Sequence, residues 1–88
     1  MFTVYVLYSA KFDKIYIGYT SDIENRLLSH NQLATTGYTV KYRPWVLAYT
    51  EILETKTETI KREAQLKSAR GREFLWNIIR KKNDSSDG

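Results

Sequence analysis

Two runs of β-branched and aromatic residues lie close together at the start of the chain. Phe2–Tyr8 and Lys14–Tyr19 are separated only by Ser9–Asp13, a length that suits a hairpin loop. The pattern therefore predicts two adjacent antiparallel strands. Because side chains alternate between the faces of a strand, Tyr5 and Tyr16 each lie on the face opposite their aliphatic neighbours. With a suitable register, both phenols share one face of the sheet.

The size of the chain limits it to one modest core. Its 88 residues predict a single domain over residues 1–82, followed by a polar, disorder-prone tail at 83–88. The sequence has no cysteine, so disulfides and cysteine-type zinc sites are excluded, and a reducing cytoplasm is the expected location. The first residues include no basic segment and no long apolar run, so we expect neither a signal peptide nor a membrane span.

The remaining elements follow from capping signals and apolar patterns. Ser21 and Glu24 have capping-box spacing, which predicts a helix from about residue 22 to His30. Residues 31–44 are predicted to be loop. Residues 45–53 are apolar on both sides, which predicts a third strand that is central or well covered.

Two further helices are predicted after the third strand. Thr55 and Glu58 repeat the capping-box spacing, and the helix should end near Arg70 with Gly71 as its C′ residue. A short amphipathic helix follows over residues 72–80. The predicted fold is α+β, with a small three-stranded antiparallel sheet flanked by helices in the order β-β-α-β-α-α.

The positive charge is concentrated in the last third of the chain. The net charge is +4, and up to Thr55 five bases balance five acids. From Lys56 to Lys82, nine bases face three acids. Clustered lysine and arginine favour a polyanion such as nucleic acid, because binding releases counterions. Solvated helix faces explain the charge equally well.

Five polar residues stand where packing alone does not require them. Arg26 can clamp a phosphate with two hydrogen bonds, and His30, one helical turn later, can pass a proton. Each also has an ordinary reading: Arg26 as a surface arginine, His30 as a structural histidine, and Tyr5 and Tyr16 as packing residues. Glu63 lies among basic residues, where ion pairing at the helix surface is the simple explanation.

The order of these residues resembles a known family. The matching segments are Thr3-Val4-Tyr5, Tyr16-Ile17-Gly18-Tyr19-Thr20, Asp22, Arg26, His30-Asn31 and Arg62-Glu63-Ala64-Gln65-Leu66-Lys67. They resemble the GIY-YIG nuclease superfamily, and most of all its short stand-alone bacterial members. The likeness covers about residues 2–80. It departs from the family in the first motif, where Thr3-Val4 replaces Gly-Ile.

The resemblance implies an endonuclease that hydrolyses DNA phosphodiester bonds with one Mg²⁺ or Mn²⁺ ion and leaves 5′-phosphate and 3′-hydroxyl ends. It makes Glu63 the metal ligand, and it implies catalytic roles for Tyr5, Tyr16, Arg26, His30 and Asn77. Which tyrosine acts as base stays open. A non-catalytic nucleic-acid-binding module of the same fold is the main alternative, and a structural domain is the other.

DNA is the expected partner, and five more residues are candidates for contacting it. Two cations flank an aromatic ring in the long loop, a combination that binds phosphates and stacks on unpaired bases. The basic helix adds two more cations, so the set is Lys41, Tyr42, Arg43, Lys67 and Arg70. A domain of this size has little area for sequence-specific binding, so targeting can require a protein partner. The oligomeric state stays open.

Overall fold

The computed structural model describes the backbone of residues 1–33 and 37–85, and the side chains of those residues except 33 and 82–85. Within these residues the elements are β1 (Phe2–Ser9), β2 (Lys14–Thr20), α1 (Ile23–Leu28), a π-helical turn (Ser29–Leu33), α2 (Tyr38–Lys41), β3 (Val46–Leu53), α3 (Lys56–Lys67) and α4 (Ala69–Ser85). The predicted α+β class and the order of the main elements are confirmed.

The three strands form one antiparallel sheet in the order β2-β1-β3. The predicted hairpin of β1 and β2 is confirmed, and Asp13 takes a left-handed conformation (φ 52°) in its turn. The prediction that the third strand is central or well covered was wrong, because β3 is an edge strand and none of its residues is fully buried. The central place belongs to β1, whose residues Val4 to Leu7 are all at most 2% exposed.

The two faces of the sheet bury different clusters. On one face, aliphatic residues of β1 and β2 pack against Leu66 of α3 and against Leu75 and Ile79 of α4. The other face has a smaller, more aromatic cluster, formed by Tyr5, Leu7 and Trp45 with Tyr16, Ile23, Leu27 and Tyr42 packed around them. The first cluster joins the sheet to the two long helices, whereas the second leaves room for polar groups.

The N-terminus of α1 differs by one residue from the prediction. Asp22, not Ser21, is the N-cap, since its Oδ1 accepts a hydrogen bond from the backbone N–H of Asn25 at 3.2 Å. The α-helix also ends earlier, at Leu28, and the π-helical turn continues it past His30. The cap predicted for α3 is confirmed: Thr55 Oγ1 accepts from the N–H of Glu58 at 3.2 Å.

The junction of α3 and α4 corrects the predicted helix ends. The helix predicted to reach Arg70 stops at Lys67, where Ser68 Oγ donates to the carbonyl of Gln65 at 2.6 Å and accepts from the N–H of Gly71 at 3.2 Å. Gly71 is thus in the first turn of α4 and is not a C′ residue. A Cβ atom there would collide with the backbone of Gln65 and Leu66, so this glycine permits the sharp turn between the helices.

Two other predicted regions are more ordered than the sequence suggested. The segment predicted as loop, 31–44, includes the end of the π-helical turn and all of α2, while its residues 34–36 lie outside the described part. The last helix extends to Ser85, and residues 86–88 of the predicted tail lie outside the described part. None of the described helices is long and apolar enough to cross a membrane.

The close contact at Gly71 gives a first prediction. Gly71→Ala should lower the free energy of unfolding by about 1–3 kcal/mol through overpacking, although alanine favours helices by about 1 kcal/mol. Urea unfolding of the variant measures this change. The control is Arg70→Ala, since Arg70 is exposed and next in sequence. Equal stability of the Gly71 variant and the parent would show that relieving this contact costs no more than the roughly 1 kcal/mol that alanine returns as helix propensity.

Candidate active site

The register of β1 and β2 brings the two motif tyrosines to the same face. Tyr5 is opposite Gly18, and Leu7 is opposite Tyr16, so the Tyr5 and Tyr16 ring centroids are 6.3 Å apart. A Cβ atom on Gly18 would lie 2.7 Å from the Tyr5 hydroxyl oxygen. The missing side chain therefore lets the Tyr5 phenol cross the backbone of β2. The shared face predicted from alternation is confirmed.

A hydrogen bond joins Tyr5 to His30. The Tyr5 hydroxyl oxygen and His30 Nε2 are 2.9 Å apart, and the residues are 2% and 8% exposed. The Tyr16 ring also packs on the imidazole, with centroids 4.8 Å apart. His30 is thus held behind the two tyrosines, in contact with both.

Burial and neighbouring charges keep both members of this pair neutral. The pKa of Tyr5 is raised well above its ordinary value, mainly by burial and then by Tyr16, while Arg26 opposes the shift. The pKa of His30 is lowered below its ordinary value of 6.5 by burial and by the positive charges of Arg26 and Arg43. At neutral pH a phenol therefore faces an uncharged imidazole.

The segment that carries His30 is fixed by contacts with residues just before β3. The Asn31 side chain accepts from the N–H of Trp45 at 2.7 Å and donates to its carbonyl at 3.0 Å. Arg43 donates through Nε to the carbonyl of His30 at 2.5 Å and through a terminal nitrogen to that of Ser29 at 3.2 Å. Arg43, predicted to bind DNA, thus supports the His30 segment.

A polar cleft of about 310 Å³ opens beside the tyrosines. Its lining residues are Tyr5, Tyr16, Ile17, Gly18, Tyr19, Arg26, Glu63 and Lys67. Arg26 enters from α1, and Glu63 and Lys67 enter from α3. Residues up to 62 positions apart in the sequence therefore meet in one accessible site.

An ion pair and a hydrogen-bond network hold α3 in place beside the cleft. Arg62 binds the carboxylate of Glu51 on β3 with contacts of 2.9–3.0 Å, and the Tyr49 hydroxyl donates to the same carboxylate at 2.6 Å. The arginine bonds lower the pKa of Glu51 against the effect of burial. Because Arg62 immediately precedes Glu63, this network limits movement of the helix that carries the carboxylate of the cleft.

The Glu63 carboxylate forms an ion pair with a lysine side chain. Lys67 Nζ is 2.8 Å from Glu63 Oε1, and the two side chains are 48% and 18% exposed. The described residues include no group of three or more histidine, cysteine or acidic side chains that could hold a metal. A single carboxylate suits Mg²⁺, which keeps several waters and takes further oxygen ligands from substrate phosphate. It does not suit Zn²⁺, which needs three or four protein ligands.

Some predicted site residues lie outside the cleft. His30 is behind its wall, in contact with Tyr5 and Tyr16. Asn77 is exposed in a separate depression between Phe74 and Lys81. Arg70 lines another depression, at the junction of α3 and α4. Lys41 is exposed on α2, and Tyr42 packs against the aromatic cluster.

Sequence reasoning missed the residues that position this site. Asn31 and Trp45 connect segments 14 residues apart, and Glu51 and Arg62 connect β3 with α3. None of these pairs has a local spacing that predicts contact. The sequence indicated two of these residues only indirectly. Asn31 and Arg62 each adjoin a candidate site residue, His30 or Glu63, within segments that resemble the family.

The chain is similar to a family of catalytic domains and to several bacterial proteins. Residues 1–83 match the GIY-YIG catalytic domain. A UPF0213 protein of Staphylococcus saprophyticus is 38% identical over 65 residues, which cover 74% of this chain and 78% of that protein. A UPF0213 protein of Staphylococcus haemolyticus is 37% identical over the same shares, and one of Staphylococcus aureus is 41% identical over 61% of this chain and 66% of its own.

The chain belongs to the GIY-YIG catalytic domain family, since the match covers nearly its whole length. Membership supports a function of nuclease type. The search of solved structures found no match.

The environment of His30 gives a prediction about stability. Below about pH 6.5 the unfolded chain binds a proton on His30 that the folded protein resists, so the free energy of unfolding should fall as the solution is acidified from about pH 8 to about pH 5. His30→Gln removes this titration and should give a shallower slope. Urea unfolding at several pH values measures both slopes. Identical slopes would mean that His30 protonates as easily in the folded protein as in the unfolded chain.

Proposed function

We propose that the protein is a Mg²⁺-dependent DNA endonuclease. The observation that carries the proposal is the convergence of Tyr5, Arg26 and Glu63 on one cleft, with His30 hydrogen-bonded to Tyr5 from behind the cleft wall. A binding protein needs cations and aromatic rings, but it has no need of a buried proton-transfer pair next to a carboxylate. Because it acts on DNA and has no cysteine, we place its work in the cytoplasm.

Glu63 would hold the metal ion, together with water and the substrate phosphate. When bound, Mg²⁺ or Mn²⁺ supplies charge neutralisation at the phosphoryl and leaving oxygens. Lys67 shares the carboxylate in the free protein and can turn to a phosphate oxygen instead. The metal ion would replace Lys67 at the Glu63 carboxylate, and Lys67 would pair with the phosphate instead, so each negative group keeps a positive partner when DNA binds.

Tyr5 and His30 would act together as the base. Because the pKa of Tyr5 is raised, almost no Tyr5 is ionised at neutral pH, so a resting phenolate is too scarce to serve as the base. A neutral phenol that passes its own proton to His30 Nε2 while it takes one from the attacking water avoids this difficulty, because the imidazole is uncharged. Tyr16, partly exposed and next to both residues, would orient the water.

Arg26 would bind and stabilise the phosphate. Within the described part of the chain, its guanidinium forms no ion pair, and it is exposed at the cleft. Its permanent charge can make two parallel hydrogen bonds to phosphoryl oxygens. These bonds would strengthen as negative charge develops in the transition state. Electrostatic stabilisation of this kind is usually the largest single contribution to the rate enhancement of an enzyme.

Variants of the cleft separate metal binding from DNA binding. Glu63→Gln removes the charge that holds a hard cation, so cleavage should fall on the order of a hundredfold or more while DNA affinity holds or rises slightly. Arg26→Ala should lower both. Plasmid nicking and DNA titration in EDTA measure the two properties, with Glu73→Gln on α4 as control for the loss of one acidic charge. Parent-level cleavage by the Glu63 variant would reduce Glu63 to a surface ion-pair residue.

The proton-transfer role of His30 has its own test. His30→Gln keeps a hydrogen-bonding group near Tyr5 but cannot accept a proton, so the cleavage rate should fall by about 10²–10⁴ with DNA affinity unchanged. Single-turnover rates at several pH values check this. A variant that retains the parent rate and pH profile would leave His30 a purely structural role.

The broad test is incubation with plasmid, single-stranded, nicked, flapped and branched DNA, with and without Mg²⁺ or Mn²⁺. Cleavage that EDTA abolishes supports the enzyme. Tight, salt-sensitive binding without cleavage under any metal condition would identify a nucleic-acid-binding module of this fold instead.

A further inference from the structure

Four aromatic rings form a continuous row from the cleft to the tip of the β1–β2 hairpin. We define the aromatic row as Tyr16, Tyr38, Tyr42 and Phe12. Tyr16 and Tyr38 have centroids 6.3 Å apart with planes tilted by 30°. Tyr38 and Tyr42 are 4.9 Å apart, and Tyr42 and Phe12 are 5.3 Å apart. The row begins at a wall of the cleft, because Tyr16 lines it.

The exposure of two of these rings is not explained by packing. Tyr16 and Tyr42 are partly buried against the cluster of Leu7 and Trp45, which fixes them. Tyr38 is 47% exposed, and Phe12 is 40% exposed at a turn where polar residues are usual. Large rings supported from behind and open to solvent on the other side provide surfaces on which a flat ligand can stack.

Two lysines lie along the same row. Lys14 Nζ is 5.4 Å from the centroid of the Tyr42 ring, and Lys11 Nζ is 5.5 Å from that of Phe12. Ammonium groups beside exposed rings can neutralise a phosphate backbone while the rings contact bases. Proteins that bind single-stranded nucleic acid combine these two features.

We propose that the aromatic row stacks unpaired nucleobases next to the phosphate in the cleft. The inference rests on the proposed function and narrows its substrate class to DNA with unpaired nucleotides beside the cut, as in a single strand or a branch point. In an intact duplex both faces of each base are already stacked, so the rings have nothing to contact. Tyr16 connects the aromatic row to the cleft, since its ring is the first of the row and also lines the cleft.

The experiment measures binding in EDTA, where no metal-dependent cleavage occurs. Oligonucleotides carry the fluorescent base 2-aminopurine, either single-stranded or in a full duplex, and are titrated with protein. We expect the parent to bind the single strand at least about tenfold more tightly and to quench its fluorescence by stacking. Tyr38→Ala and Phe12→Ala should each weaken single-strand binding roughly fivefold or more and reduce quenching, with little effect on the duplex.

Two matched variants control for side effects. Tyr38→Phe keeps the ring and should retain both affinity and quenching. Phe74→Ala removes a ring of similar exposure (43%) in a depression separate from the cleft, and it should bind like the parent. If Tyr38→Ala is unstable, Tyr38→Phe serves as the folded variant at this position. Phe12→Ala then tests the aromatic row independently at the hairpin tip.

The outcomes distinguish this inference from the proposed function. Equal affinity for both DNA forms, or equal losses in Phe74→Ala and Tyr38→Ala, would overturn the stacking role. Metal-dependent cleavage of duplex DNA without quenching would leave the endonuclease and remove the aromatic row from it. Quenching that depends on Tyr38 and Phe12, without cleavage under any metal condition, would keep the stacking site and reject the endonuclease.

Discussion

The antiparallel pairing of β1 with β2 determines the rest of the site. It sets Tyr5 opposite Gly18 and so leaves space for a phenol to cross the neighbouring backbone. Side chains alternate strictly, so a slip of one residue would turn Tyr5 toward the face that packs against α3 and α4. The polar hydroxyl would then be buried among aliphatic residues with no partner. The aliphatic cluster on that face therefore also favours the register that places Tyr5 beside the cleft.

Local patterns in the sequence predicted the parts of the fold that depend on local physics. Alternation in β1 and β2 predicted the shared face of Tyr5 and Tyr16, and capping spacing predicted the start of α3 at Thr55. The place of β3 at the sheet edge could not be predicted from its own composition. Residues of β3 are apolar on both faces, but those of β1 are buried more completely. Which strand takes the central position depends on how all three strands pack together, not on any one of them.

In the candidate site, too, some residues could be predicted from the sequence, whereas others depend on contacts that form only in the folded chain. The resemblance to a family supplied Arg26 and Glu63, and the structure brings both to the cleft. No local pattern predicted that Arg43 would bind the carbonyls of the His30 segment, because a loop arginine beside an aromatic residue is equally typical of a phosphate ligand. Nor did it indicate the break at Ser68, where a serine side chain ends one helix and begins the next.

In the proposed mechanism, the charge of Arg26 would connect phosphate binding to proton transfer. In the free protein this charge lowers the pKa of His30 and partly opposes the increase in the pKa of Tyr5. A phosphate bound to Arg26 neutralises that charge and brings negative charge close to the imidazole, and both effects raise the pKa of His30. In that mechanism the histidine would become a stronger proton acceptor at the step in which the attacking water loses a proton. The low pKa of His30 keeps the imidazole uncharged before a phosphate binds, and the rise in that pKa on binding would then favour proton transfer to it.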